Sequence, residues 1–280
     1  MARIEALDML DSAEGKAYLA ELYGKVVENV QKNTISSKIK NIDLSGDPVS
    51  GTLVAKRFVN AKSQTYGTAR TAGKGEAVKR DEVTIAIDQD KEIVEELEQK
   101  DVRLDGVDGV LERRANNHVQ RMVAELDSAF FAEAYSAGTA FTSTETEITE
   151  ILEALIQKLE TTKTDFIDGV PRSMMNLVLA PSYYGKIRNA LDVMHTAKIG
   201  AEDEEFYAWH GVKTDSCINL PDGVLAMVMI NGAVAQPVMA DQYTAEKIPL
   251  SNAYGVELFY HYGTEAVTPD GIYYIEEAGD

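Results

Sequence analysis

The feature that most constrains the fold of this sequence is a glycine-bearing, basic segment, residues 51–88, in an otherwise acidic chain. Two β-type runs, residues 52–59 and 78–87, flank a stretch in which Gly67, Gly73 and Gly75 permit turn geometry but supply no side chain to pack. This pattern predicts a long β-hairpin, which we call the basic hairpin (residues 51–88). The middle of such a hairpin cannot bury itself.

The basic hairpin carries positive charge, although the whole chain has a net charge of −19. Between Val54 and Glu82 there are seven bases and three acids, a local charge of +4. The bases are Lys56, Arg57, Lys62, Arg70, Lys74, Lys79 and Arg80. Because a cationic arm is attracted to the anionic body of a second copy, we expect these residues to make contacts between subunits. Until a neighbour binds, we expect exposed side chains at Lys56, Arg57, Arg70 and Lys74.

An ordinary surface hairpin and a phosphate-binding loop are the two other interpretations of the basic hairpin. An ordinary surface hairpin fits the same pattern and stays open. A phosphate-binding loop does not fit, because five residues separate Gly67 from Gly73 where four are needed, and Lys74 is followed by Gly75 instead of Ser or Thr.

Length and composition indicate a globular chain with a substantial core. The 280 residues are 45% hydrophobic, which suits one elaborated domain or two. The single cysteine, Cys217, rules out an internal disulfide framework and fits a reducing cytoplasm. The amino terminus is too charged for a signal peptide, and no uncharged stretch approaches the roughly 20 residues needed to cross a bilayer. We therefore expect a soluble protein with no membrane partner.

The negative charge also limits the partners of the protein. Phosphate binding requires clustered Lys and Arg, so a net charge of −19 disfavours adhesion to nucleic acid over most of the surface. Sequence-specific recognition of DNA is not expected.

The first 50 residues predict an amphipathic helix and then an extended segment. Apolar residues from Ile4 to Val30 recur near helical spacing with charges between them, which predicts a helix, or a broken pair of helices, that ends near Asn33. Residues 34–50 are rich in turn formers and have little of their own to bury. They should lie extended over another part of the protein.

An acidic segment, residues 88–105, follows the basic hairpin and holds eight acids against three bases. We expect a solvated helical face here, and a landing place for basic arms. The candidate acidic partners are Glu92, Glu95, Glu96 and Glu98. The start of the segment resembles a calcium loop, but Ile93 stands where that loop needs glycine and Gln99 where it needs glutamate, so no metal site is predicted.

The clearest helical pattern runs from about residue 108 to residue 137. Apolar residues recur at intervals of three or four from Leu111 to Ala134, and Gly138 supplies a stop. At about 1.5 Å per residue the helix would extend roughly 45 Å, longer than most globular helices, and it can form the spine of a flat, elongated subunit. His118 lies beside the apolar stripe, where we expect a packed or surface imidazole.

The remaining residues mix helices with strands, so the predicted fold class is α+β. Capping-box spacing at Thr144 and Glu147 predicts a helix that follows, with its apolar face from Ile148 to Leu159. A buried strand at residues 174–180 leads into a helix opened by Pro181, which gives an α/β unit. Residues 192–209 have no clean period and predict an exposed loop. Further strands are predicted at residues 212–218, 224–230, 243–248, 255–262 and 272–276.

No motif in the sequence is typical of catalysis or metal binding. The four histidines (His118, His195, His210 and His261) stand apart, with no spacing typical of a metal site. Cys217 lies in a β-like run, where we expect a buried small hydrophobe. Dinucleotide, serine-nucleophile and kinase motifs are absent. We therefore predict no catalytic residue, no metal and no cofactor.

The order of the predicted parts covers nearly the whole chain. An amino-terminal arm, the basic hairpin, an acidic connector, a spine helix, an α/β lobe and a strand-rich carboxy-terminal region follow one another. Two loose patterns occur among them, Leu177-Val-Leu-Ala-Pro-Ser-Tyr-Tyr184 and Gly211-Val-Lys-Thr-Asp-Ser-Cys-Ile-Asn-Leu-Pro221. Together these features resemble the major capsid protein of tailed bacteriophages, with the Hong Kong 97-type shell fold.

The resemblance implies a division of the chain and a function without catalysis. Residues 1–50 would be the N-arm, residues 51–88 the E-loop, residues 89–140 and 255–280 the peripheral domain, and residues 141–254 the axial domain. Many copies, as pentamers and hexamers, would close into an icosahedral shell around double-stranded DNA, without sequence-specific binding. Portal and scaffolding proteins would be partners, and the subunit would belong to the virion after assembly in the cytoplasm of the bacterial host.

The resemblance leaves two questions of maturation. Some shells of this type are cross-linked through a hairpin lysine, and Lys56, Lys62 and Lys74 are available. No matching asparagine or assisting carboxylate is identified, so the sequence does not predict a cross-link, and the question stays open. A scaffolding segment that is removed on maturation would have to lie in residues 1–33, and we favour a retained arm.

Two other functions stay open at this point. An encapsulin-type compartment shell shares the fold but encloses a cargo protein, and the extended segment at residues 34–50 favours the phage. A soluble α+β hydrolase would need a site assembled from residues distant in the sequence, with the four histidines as its candidates.

Overall fold

The computed structural model describes residues 6–98, 102–193, 208–241 and 243–277, and within these ranges the fold is α+β, as predicted. The α-helices are α1 (Ala13–Asn33), α2 (Ser36–Ile39), α3 (Thr68–Ala72), α4 (Val102–Ala137), α5 (Ile148–Glu160) and α6 (Pro181–Val193). Short 3-10 helices lie at Ala6–Asp11, Pro48–Ser50, Arg172–Met174 and Pro269–Gly271. Among the described residues, no helix has both the length and the apolar character to cross a membrane.

The strands of the described ranges are mostly short. They are β1 (Leu44–Ser45), β2 (Thr52–Phe58), β3 (Arg80–Ala86), β4 (Gln89–Glu98), β5 (Thr139–Ala140), β6 (Met175–Leu179), β7 (Ala208–Trp209), β8 (Val212–Ser216), β9 (Val224–Ile230), β10 (Val234–Ala235), β11 (Val238–Ala240), β12 (Thr244–Lys247), β13 (Ala253–Tyr262), β14 (Glu265–Ala266) and β15 (Ile272–Glu276). The five longer strands predicted for the last third of the chain are confirmed as β8, β9, β12, β13 and β15, with β9 and β15 at the predicted bounds.

The chain divides into two compact units. Unit 1 comprises Met1–Ser37, Ile87–Asp127 and Pro237–Gly263, and unit 2 comprises Lys38–Ala86, Ser128–Gln236 and Thr264–Asp280. The helix α4 contributes residues to both. The predicted division into arm, hairpin, peripheral and axial domains has different boundaries and stays a prediction.

Unit 1 is built on an antiparallel sheet whose central strand is β13. The strand β4 pairs with β13 along its full length, while β12 and β11 share the opposite edge. Alternate side chains of β13 are buried: Tyr254, Val256, Leu258, Tyr260 and Tyr262. The helices α1 and α4 pack on the sheet, and Leu22, Leu111 and Val256 line one small cavity where they meet it.

The prediction of a helical face for residues 88–105 is wrong over β4, a ten-residue strand. Its Glu, Lys and Leu residues favour a helix in isolation, but a pleated position beside a long partner strand outweighs that preference. Alternate side chains of β4 point towards α4, as the contacts of Lys91 with Glu125 and of Glu95 with Arg114 demonstrate. Tertiary pairing therefore decided the structure of this segment.

Unit 2 contains a mixed six-stranded sheet in the order β5-β15-β9-β6-β8-β7. The central strand β6 is buried at every position and pairs parallel with β8 and antiparallel with β9. The helix α5 packs Leu152, Leu155, Ile156 and Leu159 into the same core as Leu177 and Val228. Pro181 opens α6 at its first position, which confirms the predicted strand, turn and helix.

Of the two alternatives predicted for the amino terminus, one helix or a broken pair of helices, the broken pair is confirmed. A 3-10 helix at Ala6–Asp11 precedes α1, and the Oγ atom of Ser12 caps α1 by accepting a hydrogen bond from the backbone N–H of Gly15. The helix α1 ends at Asn33, as predicted. Residues 34–50 are not fully extended, because they include α2. The backbone N–H groups of Ile35 and Ser36, at the start of α2, donate to the carboxylate of Asp127 at 3.2 and 2.9 Å.

Two other local predictions need correction or qualification. The predicted capping box at Thr144 is wrong, because Glu147 is the N-cap of α5 and makes no side-chain capping bond. The predicted spine helix is confirmed as α4, which ends at Ala137, but Gly106 is non-helical at φ 75°, so its regular part begins after that glycine. Most of the predicted loop at residues 192–209 lies outside the described residues.

Gly138, which ends α4, should not tolerate a side chain. A Cβ atom added there would lie 2.6 Å from the carbonyl oxygen of Ala134 and 2.8 Å from Cγ2 of Ile272. Because such overpacking strains the backbone, we expect Gly138→Ala to lower the free energy of unfolding by about 1–3 kcal/mol in urea titrations. The control is Gly24→Ala in α1, where nothing lies within 4 Å and a gain of about 0.5–1 kcal/mol is expected. Equal effects of the two substitutions would contradict this packing.

Candidate subunit-contact site

The basic hairpin has a root that packs within unit 2. The strands β2 and β3 pair antiparallel along their whole lengths, with Phe58 opposite Arg80 at the outer end, and β1 adds a third strand. Ala55 and Ile85 are fully buried and form a small core with Ala235 and Val267. The root is therefore part of the folded body of its own chain.

Beyond the root, residues 59–79 form what we call the tip. From Asn60 to Lys79 every residue is exposed except Gly67, which is half-buried. The short helix α3 lies within the tip, between Gly67 and Gly73, whose φ values of 92° and 69° are left-handed. The predicted turn role of these two glycines is confirmed, since other residues adopt that conformation only with strain.

The tip exposes apolar as well as basic side chains. Tyr66 is 95% exposed and Val78 is 82% exposed, while Phe58 at the end of β2 is 54% exposed. Large apolar side chains grouped on one element of a surface are typical of a contact region. The tip therefore offers apolar area together with charge.

Six of the seven predicted basic residues are exposed. They are Lys56, Lys62, Arg70, Lys74, Lys79 and Arg80. Arg80 lies 2.9 Å from Glu82 of the same strand, in a pair whose side chains are both about half exposed. Exposed pairs of this kind are weak and can exchange partners, so all six stay predicted contacts with a neighbouring subunit.

Arg57 differs from the other six, and the prediction that it is exposed is wrong. Its side chain is only 15% exposed and forms an ion pair with Asp270 at 3.2 Å. Its Nη1 atom donates to the carbonyl oxygen of Val267 at 3.1 Å, and its guanidinium lies 3.5 Å from the ring centre of Phe166. The alternation of Leu53, Ala55 and Arg57 on one face of β2 is the sequence signal that could have found this position.

The four predicted acidic partners also separate into two groups. Glu92, Glu96 and Glu98 are exposed along β4. Glu95 is instead held by α4 of its own chain, because its Oε2 atom lies 2.6 Å from Nε of Arg114 and 3.1 Å from Nε2 of His118. The exposed residues Glu92, Glu96 and Glu98 stay candidate partners of a basic arm.

His118 is buried between two segments of unit 1. It is 2% exposed, and its Nδ1 atom lies 2.6 Å from the hydroxyl of Tyr243. Burial lowers the pKa of His118 and outweighs the opposing effect of Glu95. The hydrogen bond from Arg114 lowers the pKa of Glu95, and burial raises the pKa of Tyr243. Of the two expected environments, packed or at the surface, His118 has the packed one, and its imidazole connects α4 to β4 and to Tyr243.

The three histidines among the described residues each have their own partners. His261 contacts Asp90 at 2.8 Å in unit 1, whereas His210 contacts Glu153 at 2.5 Å in unit 2. His195 lies outside the described residues. Glu153 is already held by Arg172, whose hydrogen bonds lower its pKa to about 2, so it is a poor general base. Across the ranges that the structure describes, no group of three or more metal-binding side chains occurs.

Comparison with solved structures finds a similar fold in a phage structure, a cyanophage capsid and a virus-like particle. A structure from Mycobacterium phage Che8 matches with a TM-score of 0.61 at 16% identity, over 82% of this chain and 86% of that one. The capsid structure of the cyanophage P-SCSP1u matches with a TM-score of 0.60 at 15% identity, over 86% of each chain. A virus-like particle from Pyrococcus furiosus matches with a TM-score of 0.60 at 12% identity, over 92% of this chain and 99% of that one.

The chain has the Hong Kong 97-type fold. At the level of sequence, neither a protein-family model nor a curated protein matches it. With identities of this size, the likeness establishes the fold alone. From Asn60 to Lys79 this Hong Kong 97-type chain exposes every residue except Gly67, so the tip of the basic hairpin is its candidate functional site.

We expect the buried His118 to make the stability of this Hong Kong 97-type chain depend on pH. The folded chain binds a proton at His118 less readily than the unfolded chain, whose histidine has a pKa of about 6.5. The contribution of His118 is therefore complete above about pH 6.5 and is lost as the pH falls below it. We expect the free energy of unfolding to fall between about pH 7.5 and about pH 5.5, measured by urea titration at each pH.

The control is His118→Gln, which keeps a hydrogen-bonding side chain but cannot titrate. Its free energy of unfolding should change less with pH over the same interval, although it is lower at the upper end. Parallel pH profiles for the two proteins would contradict the assignment of this dependence to His118.

Proposed function

We propose that this chain is a major capsid protein of a tailed bacteriophage, which assembles without catalysis into the icosahedral head shell. The observation that carries the proposal is the exposed, basic and partly apolar tip, which projects from a packed root on a chain of net charge −19. The Hong Kong 97-type fold supports it, because the similar structures include a phage capsid.

The tip has the physical properties of a contact between copies. Its exposed Tyr66 and Val78 would lose contact with water on docking, and apolar burial supplies most of the free energy of association. The charges of Lys62, Arg70 and Lys74 would set register and partner choice, since exposed ion pairs are individually weak. On the receiving copy, Glu92, Glu96 and Glu98 of β4 are the proposed acidic partners.

The assembly that we propose consists of pentamers and hexamers in a closed shell, with a portal and a scaffolding protein as further partners. Double-stranded DNA would be enclosed without sequence-specific binding, because a predominantly anionic subunit lets packed phosphates move. The shell would assemble in the cytoplasm of a bacterial host and leave as part of the virion. Residues 1–50, 51–88, 89–140 with 255–280, and 141–254 remain our proposed N-arm, E-loop, peripheral and axial regions.

A compartment shell that encloses a cargo protein is the second candidate. One observation favours it: the virus-like particle from Pyrococcus furiosus is matched over 99% of its chain. The contents of particles purified from the native source separate the two functions. Double-stranded DNA inside supports the phage capsid, and a single co-purifying protein without DNA supports the compartment.

Charge reversal at the tip tests the contact directly. The variant Lys62→Glu, Arg70→Glu, Lys74→Glu and Lys79→Glu should keep its circular dichroism spectrum and melting temperature, because the four side chains are exposed. Its assembled fraction should fall at least about tenfold in sedimentation velocity and electron microscopy, since like charges then meet across the contact.

A matched control exchanges the same four residues without altering charge: Lys62→Arg, Arg70→Lys, Lys74→Arg and Lys79→Arg. This control should assemble as the unmodified protein does. Normal shells from the charge-reversed variant would remove the tip from the contact, and a chain that forms no shells, rings or capsomers under any salt condition would refute the capsid function itself.

A further inference from the structure

The place where β2 becomes the tip is held by two loops of unit 2. On one side Arg57 contacts Val267 and Asp270, as described above. On the other side the backbone N–H of Asn60 donates to the carbonyl oxygen of Asp165 at 2.9 Å, next to the ring of Phe166 that covers the guanidinium. We call this set of contacts the clamp (Arg57, Asn60, Asp165, Phe166, Val267 and Asp270).

The clamp uses properties that only arginine has. The planar guanidinium presents one face to Phe166 while its edge donates two hydrogen bonds, from Nη1 to Val267 and from Nη2 to Asp270. A lysine has the same charge but cannot stack a planar group and donate in two fixed directions. Because Arg57 is only 15% exposed, water and salt weaken these contacts less than they weaken a surface ion pair.

Lys56, the residue before Arg57, is not held by the clamp. Lys56 points to the other face of β2 and is exposed. The backbone N–H of Val59 closes the neck of the tip by donating to the carbonyl oxygen of Lys79 at 3.0 Å. Both limbs of the hairpin therefore leave the root at a point that the clamp fixes, whereas the tip itself carries no buried side chain that could hold its direction.

We propose that Arg57 is the positioning residue of the basic hairpin: it fixes the direction in which the tip leaves unit 2, and it makes no contact with a neighbouring copy. A tip that is already directed loses less conformational freedom when it docks, and association is favoured for that reason. The part of this inference that concerns assembly rests on the proposed capsid function. The part that concerns the direction of the tip does not.

The direction of the tip can be measured in the unassembled, full-length chain. Spin labels at Tyr66→Cys in the tip and Lys186→Cys on α6, both exposed positions of unit 2, report their separation by pulsed electron resonance. The native Cys217 is 3% exposed and should not react with the label in the folded chain. We expect one narrow distance distribution, which Arg57→Lys broadens at least about twofold because the stacking on Phe166 and the two directed hydrogen bonds of the guanidinium are lost.

The matched control is Lys56→Gln, which removes a charge from the adjacent position but leaves the clamp intact. Its distance distribution should equal that of the unmodified chain. If Arg57→Lys does not fold, Asp270→Asn and Phe166→Leu weaken the clamp at the two side chains that hold Arg57, and they should broaden the distribution. An unchanged distribution in all three clamp variants overturns the proposal.

Assembly provides a second readout that a purely structural role would not produce. We expect Arg57→Lys to slow assembly by about tenfold at both about 0.1 M and about 0.5 M salt, because no charge that meets the neighbour has changed. In contrast, Lys74→Gln should reduce the dependence of the rate on salt. A defect in Arg57→Lys that varies with salt would identify Arg57 as a contact charge and overturn the proposal.

The two proposals can fail separately. If the unmodified protein forms no shells, the capsid function is refuted, and the distance distributions still decide whether Arg57 directs the tip. If shells form normally from Arg57→Lys and its distances stay narrow, the capsid function stands and the positioning role is refuted.

Discussion

The packing of a small apolar core beneath a basic hairpin is the interaction on which the rest of this structure depends. Ala55 and Ile85 are buried against Ala235 and Val267, so the root of the hairpin is part of unit 2 although its outer half is exposed. Without this core, two antiparallel strands would be marginally stable in water. The proposed function needs both properties at once, a fixed base and a surface that no part of the same chain covers.

Charge and burial have separate roles along this hairpin. Basic side chains that face solvent remain strongly hydrated and are available to a partner, whereas the one basic side chain that faces the body is neutralised by Asp270 and covered by Phe166. The same division occurs on β4, where Glu95 is paired with Arg114 and its neighbour Glu96 is exposed. In both strands successive side chains point to opposite faces, so one charged group is paired within the subunit and the next is exposed to solvent, where a neighbouring copy could contact it.

Much of the fold could be predicted from the sequence, because long periodic segments and proline or glycine boundaries act locally. The spine helix, α1 with its end at Asn33, and the strand and helix joined by Pro181 are of this kind. The helix predicted for residues 88–105 was wrong because the preference of Glu and Lys for helix is small, and β13, more than 150 residues later, supplies ten pairing positions.

The candidate site was predicted in outline and not in each residue. Counting charges identified the hairpin, but a count cannot tell that Arg57 is covered while Lys56 is exposed. That distinction depends on which face of β2 each side chain occupies and on the loops at residues 165–166 and 267–270, which contact Arg57. The same holds for Glu95, whose partners come from α4. Contacts between residues far apart in the sequence leave no signal in composition or spacing.

Root and tip of the basic hairpin should experience different selection. A substitution at Ala55 or Ile85 would damage folding, so their side chains can vary little in size. Between Gly67 and Gly73 the fold itself tolerates almost any exposed side chain, and even inserted residues, because loop tips without buried groups accept such changes. Variation there would be limited by the neighbouring copy that we propose receives the tip, so tip and receiving surface would have to evolve together while the root stays fixed.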